Sequence, residues 1–230
     1  MKRINCQVEM VTPILDDVYQ VVLKSPEPVD FEAGQYLQVV MADDDKRPFS
    51  IANAPGPDRL ELHLGSPVGN PYTEQVIQRL EQKPLIEVEL PFGHASMTQM
   101  PERDVVIMVG GTGFSYAKSL IEYLNQLDHN RKVYLYWGGR NLGGLYLYNM
   151  AQQWHDAGKI CFMPVIEKSI PDWSGHVGLV HEAVLDDFVT LKDLDVYIAG
   201  RFEMAAIARD DFTAKGLPIE HLHGDAYDFI

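Results

Sequence analysis

The sequence predicts a two-domain protein: an antiparallel β-barrel over residues 1–100, then a doubly wound parallel α/β sheet over residues 101–230. Three observations carry that expectation. Up to about Met100, apolar and polar residues alternate in short runs, the period of half-buried strands. From Pro101 onward, continuous apolar runs alternate with amphipathic helical stretches, as in strands covered by helices on both faces. The stretch "TQMPERD" between them is polar and carries a proline, as domain junctions do.

In the first half, "NCQVEMV", "VYQVVLK" and "GQYLQVV" read as strands separated by turn-rich segments such as "SPEPVDFEAG" and "NAPGPD". The segment "KRPFSIANAP" (46–55) reads as an edge strand, because Pro48 has no N–H to give to a neighbour. Its Arg47 is either solvated or held by an anion. In "RLELHLG", Leu60, Leu62 and Leu64 share one face while Glu61 and His63 take the other. Asn70 and Pro71 fit the N-cap and first position of a helix whose apolar face is Val76, Ile77 and Leu80. "LIEVELP" closes the set, with Ile86, Val88 and Leu90 alternating against Glu87 and Glu89.

In the second half each strand leads into a helix. "DVVIMVGG" precedes Ala117, Leu120, Ile121 and Leu124; "KVYLYWGG" precedes Leu147, Met150, Ala151 and Trp154. "ICFMPVIE" precedes Val180, Ala183 and Val184; "DVYIAG" precedes Met204, Ile207 and Ala208.

Composition narrows the function classes. A net charge of −14 with scattered basic residues argues against nucleic acid or anionic membrane as a partner. "MKRINCQVEM" lacks the apolar run of a signal peptide, and no segment is long and apolar enough to span a bilayer. Cys6 and Cys161 lie far apart without CxxC spacing, so a cytoplasmic setting is expected, and neither a disulfide framework nor a zinc site. Cys161, inside an apolar run, is read as a core residue. His221 and His223 could share a strand face but lack a third ligand at recognisable spacing, so no metal site is expected. "ADDDKR" is read as turn chemistry, and no G-x-S-x-G elbow supports a hydrolase.

The most informative motif is "MVGGTGFSYA", where an apolar strand ends in Gly110, Gly111, Thr112 and Gly113 and a helix begins. Glycines let backbone N–H groups face a ligand, and a helix N-terminus favours an anion. The spacing fits neither G-x-G-x-x-G, since Tyr116 stands at the third position, nor a phosphate-binding loop ending in Gly-Lys-Ser/Thr. Arg140, after "WGG", and Gly200 with Arg201, after "YIA", fall at the same edge of the expected sheet. Each arginine alone reads as a solvated side chain; together, beside a glycine turn, they read as contacts to a phosphate-bearing ligand.

"RPFS" on a barrel, paired with "GGTG" opening an α/β domain, resembles the ferredoxin–NADP reductase superfamily. "AGQYLQVVM", "KRPFSIA", "ELHLG", "GGTGFSYA", "YWGGR", "YIAGRFEMA" and "GDAYDFI" are similar to its bacterial NAD(P)H–flavin reductases, from about residue 33 to the end. That resemblance implies hydride transfer from NADH or NADPH to a free flavin (riboflavin or FMN, less so FAD), with reduced flavin released. It implies a catalytic Ser50 near flavin N5, and flavin contacts from Arg47, Pro48, Phe49, His63, Leu64, Gly65, Tyr72 and Tyr227. The nicotinamide nucleotide falls to Gly110, Gly111, Thr112, Gly113, Arg140, Gly200 and Arg201, with "RPFS" facing "GGTG". A flavin-using monooxygenase or luciferase is an implied recipient.

Two departures matter. The superfamily's pyrophosphate turn, Gly-x-x-Ser, is here Gly69 followed by Tyr72 and Thr73, and its Cys-Gly-Pro is here Ala199-Gly200-Arg201. Two other readings stay open: a protein that retains FAD and passes electrons to a partner protein, and a nucleotide-sensing regulatory subunit.

Overall fold

The computed structural model describes residues 1–56, 58–65 and 70–230. They form two compact units, Met1–Thr98 with Lys118–Tyr123, and Gln99–Ala117 with Leu124–Ile230.

The first unit contains β1 (Lys2–Leu15), β2 (Val18–Lys24), β3 (Tyr36–Ala42), β4 (Asp45–Ser50), β5 (Arg59–Gly65), α1 (Pro71–Gln82) and β6 (Leu85–Phe92). The strands form one antiparallel sheet in the order β4-β3-β6-β1-β2-β5. The sheet curls into a barrel that closes just beyond β4, where Ile51 bridges Leu62 and the Ala52 N–H donates to the Glu61 carbonyl at 2.7 Å. β4 is therefore a true edge along Pro48, which the missing N–H requires. β1 is twice the length its alternation suggested. Lys2–Gln7 pair with β6 and Gln7–Leu15 with β2, and bulges after Val8 and Pro13 bend it around the barrel.

Val21, Leu23, Leu37, Val39, Leu60, Leu62, Leu64 and Val88 fill the barrel, and α1 packs Val76, Ile77 and Leu80 against them. Each such side chain contributes roughly 1.5–3 kcal/mol by leaving water. The Asn70 side-chain oxygen accepts the Tyr72 N–H at 3.0 Å, and Pro71 opens the helix. The Arg79 guanidinium donates to the carbonyls of Met41 and Val40, at 2.7 and 3.3 Å, which ties α1 to the end of β3.

The second unit contains β7 (Asp104–Gly110), α2 (Phe114–Leu124, of which Lys118–Tyr123 group with the first unit), β8 (Val133–Gly139), α3 (Tyr148–Asp156), β9 (Cys161–Ile166), β10 (His176–Val177), α4 (Val180–Asp187), β11 (Leu194–Ala199), α5 (Phe202–Ala214) and β12 (Leu222–His223). All neighbours are parallel, in the order β10-β9-β8-β7-β11-β12. Val106, Met108, Tyr136, Val196 and Ile198 meet α4 and α5 through Val184, Ala205, Ala208 and Phe212. Alternation sends Trp137 to the opposite face, where it stacks on Phe114 at 3.9 Å between ring centres. The buried face of α5 is Ala205, Ala208 and Phe212; Ile207, expected inside, is exposed, because the packing stripe is rotated by one residue from the expected one.

Among the described residues no helix is long and apolar enough to cross a membrane.

Candidate functional site

The register between β3 and β4 decides which way each "RPFS" side chain points. Val39 pairs with Arg47, Gln38 with Pro48, Leu37 with Phe49 and Tyr36 with Ser50. Paired residues share a face, so Arg47 and Phe49 lie on the side of the buried Leu37 and Val39. Pro48 and Ser50 lie on the outer side with Tyr36, whose ring stacks on Phe92 at 5.6 Å. Ser50 is half-buried, and among the described residues no protein group bonds its hydroxyl. An outward hydroxyl beside a pair of stacked rings suits a flat aromatic ligand with a hydrogen-bonding edge.

Arg47, by contrast, is buried and engaged by protein. Its Nε and Nη2 donate to the two oxygens of Asp45 at 2.8 and 2.6 Å, and Nη2 also donates to Gln75 Oε1 at 2.8 Å. Nη1 donates to the Tyr72 carbonyl, and the Tyr72 ring lies 4.7 Å from Cζ. Charge-assisted bonding holds the Asp45 carboxyl below the usual carboxylate range and raises the Arg47 pKa. "ADDDKR" thus does more than turn the chain. Tyr72 is partly exposed, with burial raising its hydroxyl pKa.

The polar face of β5 is not a solvent face. His63 and Leu64 have buried side chains, which leaves Gly65 as the more accessible member of that group. His63 Nε2 lies 2.9 Å from Glu61 Oε1, the Gln20 amide donates to that same oxygen at 2.7 Å, and Lys118 Nζ donates to Oε2 at 3.1 Å. Lys118 also pairs with Glu122 at 2.7 Å, and the Ser119 hydroxyl donates to the Asn53 carbonyl at 2.8 Å. Burial alone would push the Glu61 carboxyl up; the His63 hydrogen bond, the Lys118 charge and the Gln20 amide outweigh it and hold the pKa at about 2.

In the second unit the expected nucleotide residues converge. The chain passes from β7 outward through β8 and β9 to β10, then returns to the other side of β7 as β11. That reversal falls between β7 and β11, and open α/β sheets bind ligands at the carboxyl ends of the strands at such a point. Val109 pairs with Ala199 and Gly110 with Gly138, so the glycine turn, Gly200–Arg201 and Arg140 end three adjacent strands. A Cβ on Gly113 would lie 2.5 Å from the Ala199 carbonyl oxygen, which explains that glycine by close packing. Gly111 has φ +53 and nothing near its Cβ position, and its carbonyl accepts the Trp137 indole N–H at 3.0 Å. A Cβ on Gly110 would meet Met204 Sδ at 3.2 Å. Arg140 and Arg201 are exposed, and neither has an ion-pair partner among the described residues. An open backbone turn flanked by two uncommitted guanidinium groups fits a phosphate-bearing nucleotide.

Other expected positions fall elsewhere. The Tyr227 hydroxyl donates to the Ala205 carbonyl at 3.1 Å and its ring packs on the sheet core, so it pins the C-terminal tail; burial raises its pKa. His221 and His223 flank Asp195, at 2.7 and 4.0 Å from Oδ1, rather than standing as a plain surface pair. Cys161 is half-buried, less enclosed than its apolar run suggested, and stands at the first position of β9, where the strand enters the sheet. Gly69 of the altered pyrophosphate turn lies outside the described residues.

Sequence reasoning missed Tyr36, Asp45, Gln75 and the Lys118 network. Tyr36 carried a signal in the Asp43–Asp44 hairpin, but the irregularity at Met41 shifts the register by one residue, and only that shift puts Tyr36 opposite Ser50. Asp45 and Gln75 reach Arg47 from two elements, a juxtaposition no local pattern encodes.

Residues 107–210 match the oxidoreductase NAD-binding domain family. A ferredoxin NADP+ reductase from Neisseria gonorrhoeae, solved with bound FAD and NADP, has the same fold, with a TM-score of 0.82, 16% identity and coverage of 97% of this chain and 98% of that one. The NAD(P)H-flavin reductase of Vibrio harveyi is 41% identical over 235 residues, and that of Aliivibrio fischeri 42% over 238 residues, each alignment covering 99% of both chains. With that identity over 99% of its length, and with the fold of the ferredoxin–NADP reductases, this chain belongs to the NAD(P)H-flavin reductase family.

Proposed function

We propose that the protein uses NADH or NADPH to reduce free flavin and releases the reduced product. The observation that carries this reading is the full-length similarity to two NAD(P)H-flavin reductases in a chain whose outward Ser50 hydroxyl has no protein partner among the described residues. The nicotinamide supplies a hydride and the flavin accepts it at N5, so the protein need only bind, orient and exclude water. Arg140 and Arg201 hold the nucleotide phosphates, and the turn at the open Gly111 lets the protein backbone come close to them. Pro48, Ser50 and Tyr36 carry the flavin ring, and the Ser50 hydroxyl donates toward N5, stabilising charge as it develops. Residues 1–100 then serve as the flavin domain and 101–230 as the nucleotide domain.

Riboflavin and FMN are the favoured flavins over FAD, since Tyr72 and Thr73 replace a serine turn that would grip a pyrophosphate. Reduced flavin leaving the protein can supply a flavin-using monooxygenase or luciferase, and a cytoplasmic setting provides the reduced nicotinamide. Anaerobic mixing of protein, NADH and riboflavin tests the reaction: flavin colour is lost far faster than in the protein-free control. Bleaching at the control rate would contradict the proposal.

A further inference from the structure

We infer that Asp45 is a specificity-determining residue that turns the flavin site against phosphate-bearing flavins by occupying Arg47. The inference rests on the reading of β4 as the flavin strand. A guanidinium has five N–H donors in a planar fork, and its value to a phosphate lies in presenting two of them together. In Arg47 the Nε/Nη2 edge is taken by both oxygens of Asp45, at 2.8 and 2.6 Å. The second Nη2 proton goes to Gln75 Oε1 at 2.8 Å, Nη1 donates to the Tyr72 carbonyl, and the Tyr72 ring covers one face at 4.7 Å.

Of the pair, Asp45 is the partner nearer water: its side chain is 39% exposed, against 9% for Arg47. A phosphate approaching this end of β4 meets the Asp45 carboxylate before it meets the guanidinium, and the two negative charges repel. The other cation on the strand, Lys46, is committed to Glu89 at 2.9 Å. β4 therefore offers a neutral ring and ribityl chain a surface without charge conflict, and offers a terminal phosphate no free cation.

Asp45→Asn keeps the side chain's size and one acceptor for Arg47 but removes the competing charge. The measurement is the ratio of KM for FMN to KM for riboflavin, in the parent protein and in the variant, at low and high salt. The ratio should exceed one in the parent, fall about tenfold in the variant at low salt, the equivalent of one strong charged contact, and fall less at high salt. Asp45→Ser, which also removes the charge, should shift the ratio in the same direction. An unchanged ratio in both variants would overturn the inference while leaving flavin reduction intact. Failure of the parent protein to reduce any flavin would overturn the functional reading, and this inference with it.

Discussion

At the scale of single residues, two side chains carry opposite assignments. Ser50 faces outward with a hydroxyl that no protein group bonds among the described residues, so under the proposed function its removal should cost the fold little and the reaction more. Ser50→Ala should lower kcat with riboflavin by about 100- to 1,000-fold, the usual loss when one aimed donor is removed, while melting temperature and NADH binding stay close to the parent values. Stopped-flow reduction rates and NADH fluorescence titration measure the two. An unchanged reduction rate would remove Ser50 from catalysis. Glu61 is the reverse, a buried carboxylate that holds structure. Its pKa of about 2 lies below its ordinary value of 4.5, so the folded state gains stability above pH 4.5 and loses it as pH falls toward 2. The contribution is on the order of 3 kcal/mol. Thermal melts between pH 7 and pH 3 should show a steep acid limb in the parent protein and a shallower one in Glu61→Gln.

At the scale of elements, the glycine turn shows how much a local motif can say. The run Gly110–Gly113 at the end of a strand announced a ligand-facing turn, and the structure puts it at the reversal of strand order between β7 and β11. Its glycines have different causes: Gly113 allows contact with the Ala199 backbone, whereas Gly111 is left-handed and open. Gly113→Ala forces a methyl into a carbonyl oxygen at 2.5 Å, where neither backbone can yield cheaply. It should destabilise the protein by about 1–3 kcal/mol, read as a lowered urea midpoint with unchanged slope. Strands with clear alternation, such as β5 and β6, were legible because half-buried strands write a period of two. The two-residue strands β10 and β12 were not, since so short a pairing leaves no period to read. Nor did alternation reveal that the Glu61–His63 face is buried: a polar face packed on Lys118 and Gln20 has the same pattern as one packed on water.

For the whole molecule, both fold classes were legible because each is set by the period and order of its elements, and the resemblance supplied what periodicity does not, the chemistry. Register was not legible, and register decides which residues flank Ser50 and which occupy Arg47. The net charge of −14 repels anionic nucleotides at long range, so the proposed function leaves their capture to local groups, for which Arg140 and Arg201 are the candidates. With Arg47 already engaged and Tyr72 in place of the serine of the pyrophosphate turn, the proposed function treats flavin as a substrate that comes and goes. The most direct test is steady-state NADH and NADPH oxidation by gel-filtered protein, without flavin and then with riboflavin, FMN or FAD. Colourless protein that turns over only when flavin is added, with FAD the poorest of the three, is the predicted result. Yellow protein that oxidises NADH without added flavin, or no oxidation with any flavin, would contradict it.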